Sequence, residues 1–186
     1  MLKKYEITEI ELQLLFEQMI HPEVYPFVRL KAESVEEYMF VVKRSVEAEQ
    51  RGEMISRVIF NEINEPIGSI HLFDIKNHSG FLGTWIGKAH HGKGYNKLAK
   101  EHFLRELFYE KGITNVFMRI RCENIRSKRA TEKLPYTSWA NETQKEVFNE
   151  LNHEKYMYDL YEVQRDVFIN NFLNESVVAD EEVVAH

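Results

Sequence analysis

The chain has 186 residues, 44% hydrophobic and 29% charged, which suits one soluble globular domain and excludes a disordered or fibrous chain. No uncharged apolar run approaches the ~20 residues a bilayer span needs, so no membrane association is expected. The net charge of −6 argues against general nucleic-acid binding, although Lys88 to Lys133 holds twelve Lys and Arg against five Asp and Glu.

From the N-terminus, apolar positions Ile10, Leu12, Leu14, Leu15, Phe16 and Met19 predict an amphipathic helix capped by Thr8 and closed by His21-Pro22. A second helix is expected from Ser34 to Gln50, with Ser34 and Glu37 forming a capping box and Gly52 beyond its end. Strands follow at Met54–Phe60, Ile67–Ile75 and Phe81–Ile86, separated by turns, and read as an antiparallel meander. The segment His91-Gly92-Lys93-Gly94-Tyr95-Asn96 then enters a helix whose inner face is read as Tyr95, Leu98, Ala99, His102, Phe103 and Leu107. Lys111-Gly112 ends that helix. Val116 to Cys122 alternates as a strand, Asn124 can cap a further helix, and Pro135 terminates it. Strand, helix, strand with this crossover predicts a parallel pair. A weak strand near Tyr136–Ala140, a polar loop holding Glu146, a strong strand at Tyr156–Val163 and a short helix over 164–173 complete the domain, 1–173. Residues 174–186 form an acidic tail, expected to fray.

Two glycines one residue apart, between a strand and a helix, let backbone approach a phosphate that the helix N-terminus also attracts. A tight turn explains the same spacing, and the basic segment suits a polyanion or a pair of solvated helices. A dinucleotide fold would want a third glycine and an acid on the next strand; position 97 is Lys, and the next strand carries Arg119 and Arg121. His90-His91 has no partner at a metal-ligand spacing, so no metal is expected. Cys122, the single cysteine, lies on the apolar face of its strand and reads as a buried structural thiol. With no secretory leader pattern, the cytoplasm is the expected compartment.

The run from Thr84 to Leu134, with His91-Gly92-Lys93-Gly94-Tyr95-Asn96 and then Asn124-Ile125-Arg126-Ser127, resembles the signature of the GNAT N-acetyltransferase superfamily. The resemblance implies an α+β fold: a mixed, mostly antiparallel sheet flanked by helices, with a splayed parallel strand pair holding the cofactor. It implies acetyl-CoA as donor, coenzyme A as product, and a turn at residues 91–96 that cradles the pyrophosphate. It also implies backbone contacts at Trp85 and Ile86 and a pantetheine contact at Asn124. His91 stands where Arg or Gln is usual, and Asn96 where a small residue is usual. Asn124 to Ser127 and Gln144 to Glu150 before Tyr156-Met157-Tyr158 are similar to the ribosomal-protein N-terminal acetyltransferase branch. In that branch Ser127 matches the general acid and Glu146 the general base, with Glu123 as the runner-up. Leu134-Pro135-Tyr136 departs from a usual Leu-Gly-Phe, and the strand Phe81–Ile86 lacks the carboxylate many members carry.

The implied reaction is direct attack of a primary amine on the thioester, the acceptor being a protein N-terminal α-amine. The alternatives are a small amine (polyamine, amino sugar or antibiotic) or a non-catalytic acyl-CoA-binding module. Dimerisation through the last strands stays open.

Overall fold

The computed structural model describes residues 1–152 and 156–173, so the acidic tail lies outside the described residues. Its elements make a mixed α+β, mostly antiparallel fold. They group into two compact units, one ending at Gly112 and the other beginning at Ile113.

The first unit carries an antiparallel meander: β1 (Leu2–Lys3), β2 (Ile55–Phe60), β3 (Pro66–Lys76) and β4 (Ser79–Ile86), each paired with the next. Helices α1 (Glu9–Met19) and α2 (Val35–Gln50) supply one apolar layer, in which Leu15, Phe16, Met19, Tyr38 and Val42 cluster with Val58, Phe60 and Trp85. Thr8 caps α1 with a full capping box. Ser34 caps α2 by accepting the Glu37 N–H, but the Glu37 carboxylate turns to the Glu33 N–H, so half of the expected box forms.

All six residues of β2 are buried. That burial extends to Ser56 and Arg57, and each is satisfied. Ser56 and Ser69 hydrogen-bond the two ring nitrogens of His71 at 3.0 and 2.8 Å. Burial drops the His71 pKa to about 3, so the ring is neutral. Arg57 pairs with Glu49 at 2.9 Å and with Glu106.

Helix α3 (Tyr95–Arg105) continues into a π turn, Glu106–Glu110, and packs against β1, β3 and β4. Its buried face differs from the expected one. Tyr95, Ala99 and Phe103 point inward, but so do Lys100 and Leu104, while Leu98 is 43% exposed and His102 is exposed. Leu104 and Phe108, four residues apart, draw the stripe toward their own side, and position 100 completes that row.

In the second unit β5 (Asn115–Arg121) pairs antiparallel with β7 (Tyr158–Gln164), and β7 with the short β6 (Ser138–Trp139). Helix α4 (Ile125–Glu132) follows β5. Its departure from the usual closing sequence is accommodated: the Thr137 hydroxyl donates to Thr131 and Leu134 carbonyls, and Tyr136 is buried edge-to-face on Phe168 at 5.0 Å. The expected polar loop around Glu146 is instead helix α5 (Lys145–Leu151), and 165–173 is also helical.

Candidate functional site

Strand β4 ends at Ile86 and a single 3₁₀ turn, Lys88–His90, redirects the chain. Gly92 and Gly94 follow with φ of +77° and +84°. An L side chain would be strained at either position, which is why glycine stands there. A Cβ built on either glycine meets nothing within 4 Å, so the space above the turn is open. Gly94 is the N-cap of α3 and brings no capping side chain, so the helix itself leaves its first-turn N–H groups to an outside acceptor. Eleven residues of aligned peptides add their dipole there. Lys93 and Asn96 are exposed beside this cradle.

His91, which stands where Arg or Gln is usual, has its side chain engaged in the turn. Nε2–H donates to the Ile86 carbonyl at 2.8 Å, tying the start of the glycine segment to the end of β4. A carbonyl accepts only, which fixes Nε2 as the protonated nitrogen. Tyr95 is buried, and its hydroxyl donates to Glu62 Oε2 at 2.5 Å while His90 meets its ring edge-on at 6.0 Å. The Tyr95 hydrogen bond holds the Glu62 carboxyl below the ordinary range, with Lys93 and His90 adding to it. Trp85 and Ile86 are both core residues, so any contact they make with a ligand is through backbone.

In the second unit Asn124 caps α4, its Oδ1 accepting the Ser127 N–H at 3.2 Å. That bond sets Ser127, half-buried, in the first helical turn. Glu123 is 65% exposed and lies 3.6 Å from Arg121. Glu146 is exposed in the first turn of α5, a helix whose N-cap is Gln144, and the Gln144 Nε2 donates to Glu162 at 3.1 Å. The structure therefore gathers His91 to Asn96 on one turn and Asn124 with Ser127 on another, while Glu146 stands on its own helix.

Two features escaped the sequence reading. Lys128, read as part of a solvated helix face, is 22% exposed and its Nζ lies 2.5 Å from Asp159 Oδ2. Asp159, in turn, is a buried acid inside the strand expected at Tyr156–Val163. The available signal was an aspartate between Tyr158 and Leu160 at a core register, which needs a cation. Cys122 is half-buried rather than fully so, and burial, then Asp159, push its thiol up, which keeps it protonated.

Among the described residues no group of three His, Cys, Asp or Glu side chains could hold a metal ion, and no helix is long and apolar enough to cross a membrane.

Residues 4–137 match the acetyltransferase (GNAT) domain family. A search of curated proteins matched none. Among solved structures, the chain is similar to apo FdhC, a nucleotide-linked sugar GNAT, with a TM-score of 0.71 at 14% identity, covering 94% of this chain and 92% of that one. It is also similar to a putative ribosomal-protein-serine acetyltransferase from Vibrio cholerae (TM-score 0.66, 15% identity, 88% and 93% covered). A third is the spermidine/spermine N-acetyltransferase SpeG from Vibrio cholerae (TM-score 0.66, 14% identity, 92% and 95% covered).

Proposed function

The chain belongs to the acetyltransferase (GNAT) domain family, and we propose that it transfers an acetyl group from acetyl-CoA to a primary amine by direct attack, releasing coenzyme A. The observation that carries this reading is the cradle at Gly92 to Asn96. Two glycines at positive φ, open space above them and the uncapped N-terminus of α3 form a site for a pyrophosphate. Lys93 lies alongside to add positive charge. Trp85 and Ile86 contribute backbone groups, and Asn124 meets the pantetheine arm.

The amine attacks the thioester carbon; the C–N bond forms, the C–S bond breaks and the thiolate leaves. The attacking nitrogen loses a proton to Glu146, directly or through a water, the Ser127 hydroxyl protonates the departing sulfur, and the proton taken up at Glu146 returns through solvent to restore the hydroxyl. The exposure of Glu146 leaves it open to an incoming acceptor, and the Asn124 cap fixes the backbone of Ser127 in the first turn of α4. Glu146→Gln is expected to lower kcat by about 100-fold while acetyl-CoA affinity stays within about twofold. Steady-state kinetics beside calorimetric titration checks both, and an unchanged kcat removes Glu146 from the role of base.

The favoured acceptor is the α-amine of a protein N-terminus, supported by the likeness of Asn124 to Ser127 and Gln144 to Glu150 to the ribosomal-protein branch. A small cationic amine is the second reading, favoured by the acidic balance outside Lys88 to Lys133. Rates on an N-terminal peptide set beside spermidine separate the two. The site is proposed to work in the cytoplasm.

A further inference from the structure

The glycine turn is anchored at both ends. On its N-terminal side the His91 ring donates to the Ile86 carbonyl at 2.8 Å. On its C-terminal side stands Tyr95, the first residue of α3, whose hydroxyl donates to Glu62 at 2.5 Å. Between the anchors lie Gly92 and Gly94, the residue type with the least constrained backbone. The shape of the cradle is therefore set by what its two ends are tied to.

Glu62 belongs to the turn between β2 and β3, residues 61–65, and that turn is braced by its neighbours. Asn61 Oδ1 accepts the Ile63 and Glu65 N–H groups at 3.2 and 2.8 Å, and Asn61 Nδ2 donates to the Glu65 carboxylate at 2.9 Å. Glu62 instead sends its carboxylate to a hydroxyl 33 positions along the chain. The bulk of α3 and its π turn are already held, because Ala99, Phe103, Leu104 and Leu107 are almost wholly buried. What the Tyr95 bond acts on is the first turn of α3, whose N–H groups the helix leaves free. A carboxylate is also an unfavourable neighbour for a phosphate, and Lys93 lies in its field to offset it. A tether serving the fold alone has no reason to stand beside an anion site.

We propose that Glu62 is a positioning residue for the cofactor: through Tyr95 it fixes the first turn of α3 so that the free N–H groups converge on the pyrophosphate. The inference rests on the acetyl-CoA reading above and adds the residue that holds the cradle in its binding shape. Ordering the turn beforehand removes that cost from the binding step.

Three variants and one combination test it. Tyr95→Phe keeps the ring and removes the hydroxyl, and Glu62→Ala removes the acceptor. Each is expected to raise both KM and the calorimetric Kd for acetyl-CoA by about tenfold, with kcat within about twofold. The double variant should be no worse than either single one, because the same bond is lost in all three. Glu62→Gln restores a neutral acceptor and should recover part of the loss. A bond that only stabilises the fold predicts a lower melting temperature of the free protein with KM and Kd unchanged. Parent-like Kd in Tyr95→Phe or Glu62→Ala, losses that add in the double variant, or no recovery in Glu62→Gln overturns the proposal. If the unaltered chain fails to bind acetyl-CoA in the same titration, the cofactor reading itself falls. If it binds and the variants bind equally well, only the role of Glu62 is lost.

Discussion

Replacing Lys100 with methionine is expected to stabilise the protein by about 3 kcal/mol at pH 7. Lys100 is 7% exposed on the inward side of α3, and burial alone lowers its pKa from 10.5 to about 8. The sign follows from where the protons sit. Below pH 8 the ammonium is charged in both the folded and the unfolded chain, and the fold bears the full cost of burying it. Between pH 8 and 10.5 the unfolded chain binds more protons, so stability rises with pH. Above 10.5 the cost has gone. Methionine keeps the long apolar stem and drops the charge. The difference between variant and parent is therefore largest below pH 8 and vanishes towards pH 10.5. Urea melts of both proteins at pH 7 and pH 10 measure it, and equal differences at the two pH values would mean that Lys100 reaches solvent in the folded state.

Substituting Gly68 by alanine is expected to have the opposite effect, a loss on the order of 3 kcal/mol. A Cβ there would lie 2.2 Å from the Trp85 carbonyl oxygen and 3.0 Å from the Ile86 Cα. Both are backbone atoms of the partner strand, so no side chain can swing aside. Gly68 pairs with Ile86, and the Gly87 N–H donates to the neighbouring Ile67 carbonyl at 2.8 Å. The strain is thus delivered to the end of β4, from which His91 and the glycine turn are hung. Gly68→Ala should lower the melting temperature by about 6–12 °C and weaken acetyl-CoA binding as well. Gly94→Ala makes a useful contrast, because a Cβ there meets open space and adds only the strain of a positive φ, about 1–2 kcal/mol. It should lose cofactor affinity with a smaller loss of stability. Melting curves and titrations on the two variants distinguish a β-sheet defect from a blocked cradle.

Local signals in the sequence carried far. Thr8, Ser34, Gly52 and Gly112 mark helix ends that the structure places within a residue or two, because capping chemistry is confined to neighbouring residues. The glycine turn was equally legible, since positive φ demands glycine whatever lies around it. Non-local choices were not. Which side of α3 turns inward depends on the π turn and on Leu104 and Phe108, and alternating polar and apolar positions left the side carrying Leu98 and His102 as good a candidate as that of Lys100. The Lys128–Asp159 pair joins residues 31 positions apart in a helix and a strand, so each looked like an ordinary residue of its own element. Glu146 fell in a stretch short of apolar periodicity, and its helix has no buried residue to announce it.

The central claim is that the turn from Gly92 to Asn96 binds the pyrophosphate of acetyl-CoA. Thermal melting with acetyl-CoA, coenzyme A and NAD, each at a hundredfold excess over a micromolar Kd, tests it most directly. A ligand confined to the folded state adds roughly 2.7 kcal/mol under those conditions, which corresponds to a rise of about 5–10 °C. The expected result is that rise with acetyl-CoA and coenzyme A, none with NAD, and most of it lost in Gly94→Ala. No shift with acetyl-CoA, or an equal shift with NAD, would contradict the cofactor assignment and the mechanism built on it.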